Sequence, residues 1–255
     1  MSLHDTQSAF DNRNIAINRV GIKDFKLPIQ LASLSGVQAT IATVDMFASL
    51  EAKYRGTHMS RFISLITANS KPICAESIKE LTQQLCKQLE TTQAEISLTT
   101  SLFVEKKAPI TQIKGLMDYQ VKYHTCVDAN EVKQILEVKT PTTSLCPCSK
   151  EISAAGAHNQ RSVIVIKAQY RGTLFPEQLI EIAEKSSSCD LYSILKRADE
   201  KFVTETAYAQ PKFVEDTVRE AYQALKNIPE IIKFKVASEN FESIHNHSAY
   251  AEVSS

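Results

Sequence analysis

The chain has 255 residues, enough for one large or two modest domains, and 29 Lys plus Arg balance 29 Asp plus Glu to a net charge of zero. That balance excludes the broad basic face of a nucleic-acid-binding protein, although a nucleotide needs only a local cluster of cations. Residues 1–14 are polar with no apolar leader core, and no later run approaches the roughly 20 apolar residues of a membrane span, so a cytoplasmic protein without membrane contact is expected.

In chain order, residues 27–50 read as strand-rich. Met59, Phe62, Ile63 and Ile66 then recur at helical spacing, and Ile78, Leu81, Leu85 and Leu89 do so again after the Lys71-Pro72 break. Period two follows. Ile96, Leu98, Thr100, Leu102 and Val104 oppose Glu95, Ser97, Thr99 and Ser101, while Tyr119, Val121, Tyr123, Thr125 and Val127 oppose Asp118, Gln120, Lys122 and His124. Residues 131–140 and 161–170 give two more strands. Pro176 with Glu177, and Pro211 with Glu215 and Asp216, open two helices, since proline is tolerated in a first turn and acids complement its dipole. The second of these helices buries Phe213, Val214, Val218, Ala221, Tyr222 and Leu225. Strands at 231–237 and 247–253 close the chain. The order is ββααββ twice, an α+β arrangement of antiparallel sheets with helices on one face. It divides into an N-terminal arm at 1–26, a first unit at 27–129, and a second unit at 130–255 carrying most of the reactive residues.

Those reactive residues are Cys146-Pro147-Cys148-Ser149-Lys150-Glu151, then Gly156-Ala157-His158-Asn159-Gln160-Arg161, then Ser243-Ile244-His245-Asn246-His247. A thiolate, imidazoles and nearby carboxylates can hold a divalent ion and leave a position open for water. One residue between the cysteines, and no second pair at finger distance, argues against a closed structural zinc site. In an extended segment Cys146 and Cys148 would point to one side, into a shared pocket, with Pro147 stiffening the turn. The plainer alternative, a buried apolar thiol, suits Cys74, Cys86, Cys126 and Cys189 better. Six cysteines at irregular spacing suit reduced thiols or a metal rather than a disulfide framework. From its residues the chain reads as a metal-assisted hydrolase.

Several blocks, in order over residues 12–251, together resemble GTP cyclohydrolase type IB, a bacterial folate-pathway family. They are Val20-Gly21-Ile22-Lys23-Asp24, Gly56-Thr57-His58-Met59-Ser60-Arg61-Phe62, the cysteine and His158 blocks, Leu195-Lys196-Arg197-Ala198-Asp199-Glu200-Lys201, Lys212-Phe213-Val214-Glu215-Asp216, and Ser238-Glu239-Asn240-Phe241-Glu242 running into the His245 block. The resemblance implies two tandem tunnelling-fold units that close into barrels on oligomerisation, as a homotetramer with interfacial active sites. It implies opening of the guanine imidazole ring of GTP at C8, release of formate, and rearrangement to 7,8-dihydroneopterin triphosphate. It places a divalent metal (zinc, manganese or iron) on Cys146, with His158, Glu200 and His245 as ligands or water-mediated partners. Cys148, His245 and His247 join Cys146 as catalytic candidates.

Glu215 is expected to accept the guanine N1–H and exocyclic amine as a two-point carboxylate contact, while also suiting the start of its helix. His58, Lys23, Arg61, Lys196 and Arg197 are the remaining substrate-binding candidates, the four cations for the triphosphate. By the residues alone Glu200 reads as a solvated charge, His58 and His247 equally as structural imidazoles, and the Lys and Arg side chains as ordinary surface. Two other readings stay open: a 7-cyano-7-deazaguanine reductase, whose thiol would attack a nitrile without a metal, and a non-catalytic metal- or nucleotide-binding module.

Overall fold

The computed structural model describes Asp5, Gln7 and residues 9–129 and 131–255. The expected arm at 1–26 and the polar stretch at 1–14 therefore lie partly outside the described residues, as does Asn130 at the start of the expected second unit. The chain forms two compact units, residues 1–100 with 122–135, and residues 101–121 with 136–255. The divisions fall inside long strands.

In the first unit, β1 (Ile17–Ser33) and β2 (Gly36–Leu50) form a hairpin that closes where Ser33 pairs with Gly36, whose φ is 123°. Only glycine adopts that backbone freely. The ladder continues from β2 to the first part of β3 (Gln93–Lys107), and then to the last part of β4 (Lys114–Asp128) and the start of β5 (Glu131–Leu145). A bulge between Ile22 and Phe25 interrupts β1, and Asp24 turns through φ 58° there, its N–H donating to Asp45 Oδ1 at 2.8 Å. Gly21 is required beside it, because a Cβ would meet the Met46 carbonyl oxygen at 1.9 Å. Helices α1 (Met59–Thr67) and α2 (Ala75–Leu89) pack on each other, on β1 and on β2. Phe62 and Ile66 of α1, and Ile78, Leu81 and Leu85 of α2, are buried, as the helical spacing predicts.

The second unit continues from the remaining parts of β3, β4 and β5 to β6 (Asn159–Tyr170), β8 (Ile231–Asn240) and β9 (Ala249–Ser254), with the two-residue β7 (Cys189–Asp190) paired to β5. Its helices are α3 (Pro147–Ile152), α4 (Pro176–Lys185), α5 (Arg197–Ala209) and α6 (Val214–Lys226). Pro176 is the first residue of α4, as predicted. Pro211 lies ahead of α6, whose cap is Phe213, so that helix begins later than expected. Helices α3 and α5 are additions to the predicted pattern. The helix-side face carries Ile164, Ile166 and Ala168 on β6, which packs on α4, and Phe234 and Val236 on β8, which packs on α6 with its buried Val218, Ala221 and Leu225. Lys106 Nζ bridges Glu184 Oε1 and Asp190 Oδ2 at 2.8 and 2.9 Å, and Tyr119 Oη donates to the same Glu184 oxygen at 2.6 Å, fastening β3, β4, α4 and β7 together. Burial, then the charge of Asp190, pushes the Glu184 carboxyl up, and the same two causes push the Tyr192 phenol up to about 12. Among the described residues no helix is long and apolar enough to cross a membrane.

Candidate active site

Strand β5 ends at Leu145 and the chain enters α3 at once, with Cys146 as the cap (φ −71°, ψ 119°) and Pro147 in the first helical position. Proline loses no hydrogen bond there and its ring presets a helical φ. The extended Cys-Pro-Cys segment expected above is therefore a helical turn, and the i, i+2 argument for a shared pocket does not apply. Cys146 is half-buried, its Sγ accepting the Ser149 amide at 3.4 Å, whereas Cys148 is exposed. All six cysteines are free, with Cys86 and Cys189 buried and Cys74 and Cys126 half-buried.

Backbone bonds bring the second block to the first. The Cys146 amide donates to the His158 carbonyl at 3.1 Å, and the His158 amide donates to Ser149 Oγ at 3.2 Å. The His158 ring, 14% exposed, has Nδ1 2.9 Å from Gln160 Oε1 and 3.8 Å from Glu242 Oε2. Gln160 Nε2 donates to Ser144 Oγ at 2.9 Å and to Glu242 Oε1 at 3.3 Å. A cavity of about 210 Å³ lies among Cys146, Gln160, Lys212, Glu215, Asn240 and Glu242. Glu215 reaches it from the first turn of α6 and is exposed. Lys212 is fixed by its amide, which donates to the Leu145 carbonyl at 3.1 Å, and its Nζ pairs with Glu220 Oε2 at 2.5 Å.

The remaining candidates stand apart from this hydrogen-bonded group. His245 and His247 are exposed in the connection between β8 and β9, with rings stacked 5.1 Å apart at 18°. Lys196, Arg197 and Glu200 are exposed at the start of α5. That helix is anchored by Asp199, which is fully buried and accepts the amides of Ile110 and Thr111 at 2.8 Å, the Thr111 hydroxyl at 2.6 Å and the Lys196 amide at 2.9 Å. Burial pushes the Asp199 carboxyl up, but these hydrogen bonds together outweigh it and hold the group well below the usual carboxylate range. In the first unit, Lys23 is exposed at the β1 bulge, His58 Nε2 lies 3.2 Å from Asp5 Oδ2, and Arg61 Nη1 donates to the Gln88 carbonyl at 3.1 Å.

Among the described residues no three His, Cys, Asp or Glu side chains gather closely enough to enclose an ion. Cys146 and Glu242 line the cavity, and the His158 ring, outside that lining, has Nδ1 3.8 Å from Glu242 Oε2. Sulfur, imidazole nitrogen and carboxylate oxygen are donor types that suit a borderline divalent ion. Gln160, Glu242 and Asp199 were not singled out from the sequence. The available signal was their position inside the quoted blocks, Gln160 two residues from His158 and Glu242 three from His245.

Residues 3–251 match the family model described as "Type I GTP cyclohydrolase folE2". The chain is 45% identical over 254 residues to a GTP cyclohydrolase FolE2 of Magnetococcus marinus, covering 99% of this chain and 96% of that one. It is 47% identical over 255 residues to one of Dichelobacter nodosus, covering 99% and 97%. Among solved structures it is similar to uricase from Arthrobacter globiformis, with TM-score 0.55 and 8% identity over 93% of this chain and 92% of that one. A highly active mutant of Bacillus sp. TB-90 urate oxidase gives TM-score 0.56 at 9% identity, over 94% and 99%. At such identity the likeness concerns the fold alone, which is the tunnelling fold.

Proposed function

Because the chain belongs to the type I GTP cyclohydrolase FolE2 family, we propose that it converts GTP and water to 7,8-dihydroneopterin triphosphate and formate, the first step of tetrahydrofolate synthesis, in the cytoplasm. The observation that carries this reading is one cavity lined by both Cys146 and Glu215. A guanine held by its pyrimidine edge on Glu215 presents its imidazole edge toward the cysteine end. The Glu215 carboxylate accepts the N1–H and the exocyclic amine, a pairing adenine cannot offer.

Cys146, His158 and Glu242 are the proposed core of a divalent-metal site for zinc, manganese or iron, with Glu200 and His245 as further ligands or water-mediated partners. When bound, such an ion supplies Lewis acidity and lowers the pKa of a water. His245 and His247, both exposed, move protons between ring opening and closure, with the exposed Cys148 as the second thiol. At about 210 Å³ the cavity is smaller than the roughly 300–1,000 Å³ that encloses a drug-sized ligand. It takes the base and leaves the triphosphate to cations outside it, for which Lys23, Arg61, Lys196 and Arg197 are the candidates, with His58 as a further substrate contact. A homotetramer with interfacial sites would supply the missing walls.

The test is formate release from GTP by metal-depleted protein re-supplied with zinc, manganese or iron, alongside Cys146→Ala. The variant is expected to lose turnover to background and most of its bound metal. Full metal occupancy with near-normal turnover in Cys146→Ala would sink the assignment.

A further inference from the structure

We infer that Gln160 is a positioning residue: its side-chain amide sets the His158 ring as the Nδ1–H tautomer, with Nε2 as the free donor, and tethers the Glu242 carboxylate in the same act. This rests on the metal site proposed above.

The argument begins with the orientation of the amide. Gln160 Nε2 lies 3.3 Å from Glu242 Oε1, and an ionised carboxylate only accepts, so the NH₂ end must point there. The carbonyl end therefore meets His158 Nδ1 at 2.9 Å, and because a carbonyl also only accepts, Nδ1 carries the proton. A neutral ring then has its lone pair on Nε2.

The amide is held in turn by buried neighbours. Its second Nε2 hydrogen goes to Ser144 Oγ at 2.9 Å, and Ser162 Oγ lies 2.8 Å from both Ser144 Oγ and Asn240 Oδ1. Ser162 has one proton and Asn240 Oδ1 only accepts, so Ser162 donates to Asn240 and accepts from Ser144. The polarity of the chain is fixed from Gln160 to Asn240. Gln160, Ser144, Ser162 and Asn240 are 8%, 3%, 2% and 4% exposed, and Ser162 pairs directly with Asn240 across β6 and β8. A buried network of this kind is costly unless every member is satisfied. Ile164 and Ile166, next along the same face of β6, show that apolar residues fit this sheet. Fixing the far ring nitrogen of an imidazole ligand in this way selects its tautomer and orientation, and losing such a partner weakens metal affinity by roughly 10- to 100-fold.

The experiment measures cobalt(II) affinity by chelator competition in wild type, Cys146→Ala, His158→Ala, Gln160→Met and Gln160→Glu. It adds the ¹⁵N signature of His158 in metal-free protein, about two pH units above the ordinary imidazole value. Gln160→Met is expected to bind cobalt roughly 10- to 100-fold more weakly and to lose the single-tautomer pattern. Gln160→Glu keeps an acceptor for Nδ1–H but repels Glu242, so it should keep the tautomer and still bind cobalt more weakly. If Gln160→Met does not fold, Gln160→Glu alone decides. Cobalt affinity within about twofold of wild type in both variants, or an unchanged ¹⁵N pattern in Gln160→Met, overturns the inference, as does loss of that pattern in Gln160→Glu. Unchanged affinity in Cys146→Ala and His158→Ala would instead overturn the metal site itself.

Discussion

Both units set helices on antiparallel strands, the second adding α3, β7 and α5, yet their helix-side sheet faces differ. In the first unit β2 is apolar at its inward positions Ala42, Val44, Met46 and Ala48, and buried polar residues come singly on the other strands: Thr100 on β3, Thr125 on β4 and Gln134 on β5. In the second, β5, β6 and β8 are each apolar at one end and polar at the other. Strand β5 runs from Leu136 and Val138 to Thr140, Thr142 and Ser144, while β8 runs from Phe234 and Val236 to Ser238 and Asn240. Strand β6, antiparallel to β8, is polar at its start, so Gln160 and Ser162 fall beside Asn240. Each buried polar group costs about 1–3 kcal/mol if left without a partner, so the polar end is a poor way to build a core and a good way to build a platform for side chains. The first unit, where such residues come singly, shows that the architecture does not require a run of them.

The largest expected effect tests that division. Leu98→Ala, at a fully buried site in the first unit, should destabilise the protein by about 2–5 kcal/mol in urea titration. The folded fraction should keep its metal affinity. A parallel loss of metal affinity would show that the apolar face also supports the site. Glu215→Gln should do the reverse, leaving stability near wild type and lowering kcat/KM for GTP by about 1.5–3 kcal/mol, roughly 10- to 150-fold, because an amide presents a donor where guanine also donates. Unchanged kcat/KM with a lower Tm would reduce Glu215 to a helix-terminus charge.

Ser162→Ala comes next, at about 1 kcal/mol, since it removes the donor to Asn240 Oδ1 at 2.8 Å. A stabilised variant would mean that the chain from Ser144 through Ser162 to Asn240 costs more than its hydrogen bonds return.

The first unit was the more legible in sequence, for the same reason that it is apolar. Alternation on β3 and β4, and the helical spacing of Phe62 and Ile66 and of Ile78, Leu81 and Leu85, report burial directly, because apolar side chains have one preferred environment. The second unit hides its logic in residues that are equally at home on a surface. Gln160, Glu242 and Asp199 carry no periodic signal, and their burial appears only after the strands assemble. Helix α3 is six residues long, too short for a helical period to register. Helix α5 buries only Asp199 and Ala207, so its stripe is faint. Cys146 and Glu215 could be picked out because their blocks resemble a known family, and the shared cavity then gave that choice a geometry.

Asp199 sharpens the comparison with the smallest perturbation, a change of pH without any substitution. It is the only charged residue buried among the described residues, and it belongs to the second unit. Its folded carboxyl titrates below the unfolded value of about 3.9, held down by the hydrogen bonds from Thr111, Lys196 and Ile110. The unfolded state therefore binds more protons between the two values, so this contribution to stability is complete above the unfolded pKa and is lost as pH falls through the folded one. Between neutrality and about pH 5 the group should change nothing. Below that, hydrogen-exchange protection should fall at the amides of Ile110, Thr111 and Lys196 before it falls at the amides of β2. Asp199→Asn cannot titrate and should lack that selective acid loss, whatever its stability at neutral pH. If the two sets of amides lose protection together in wild type, the buried carboxylate is not what makes the second unit acid-sensitive, and the charges of Glu184 and Asp190 on the Lys106 bridge become the groups to substitute.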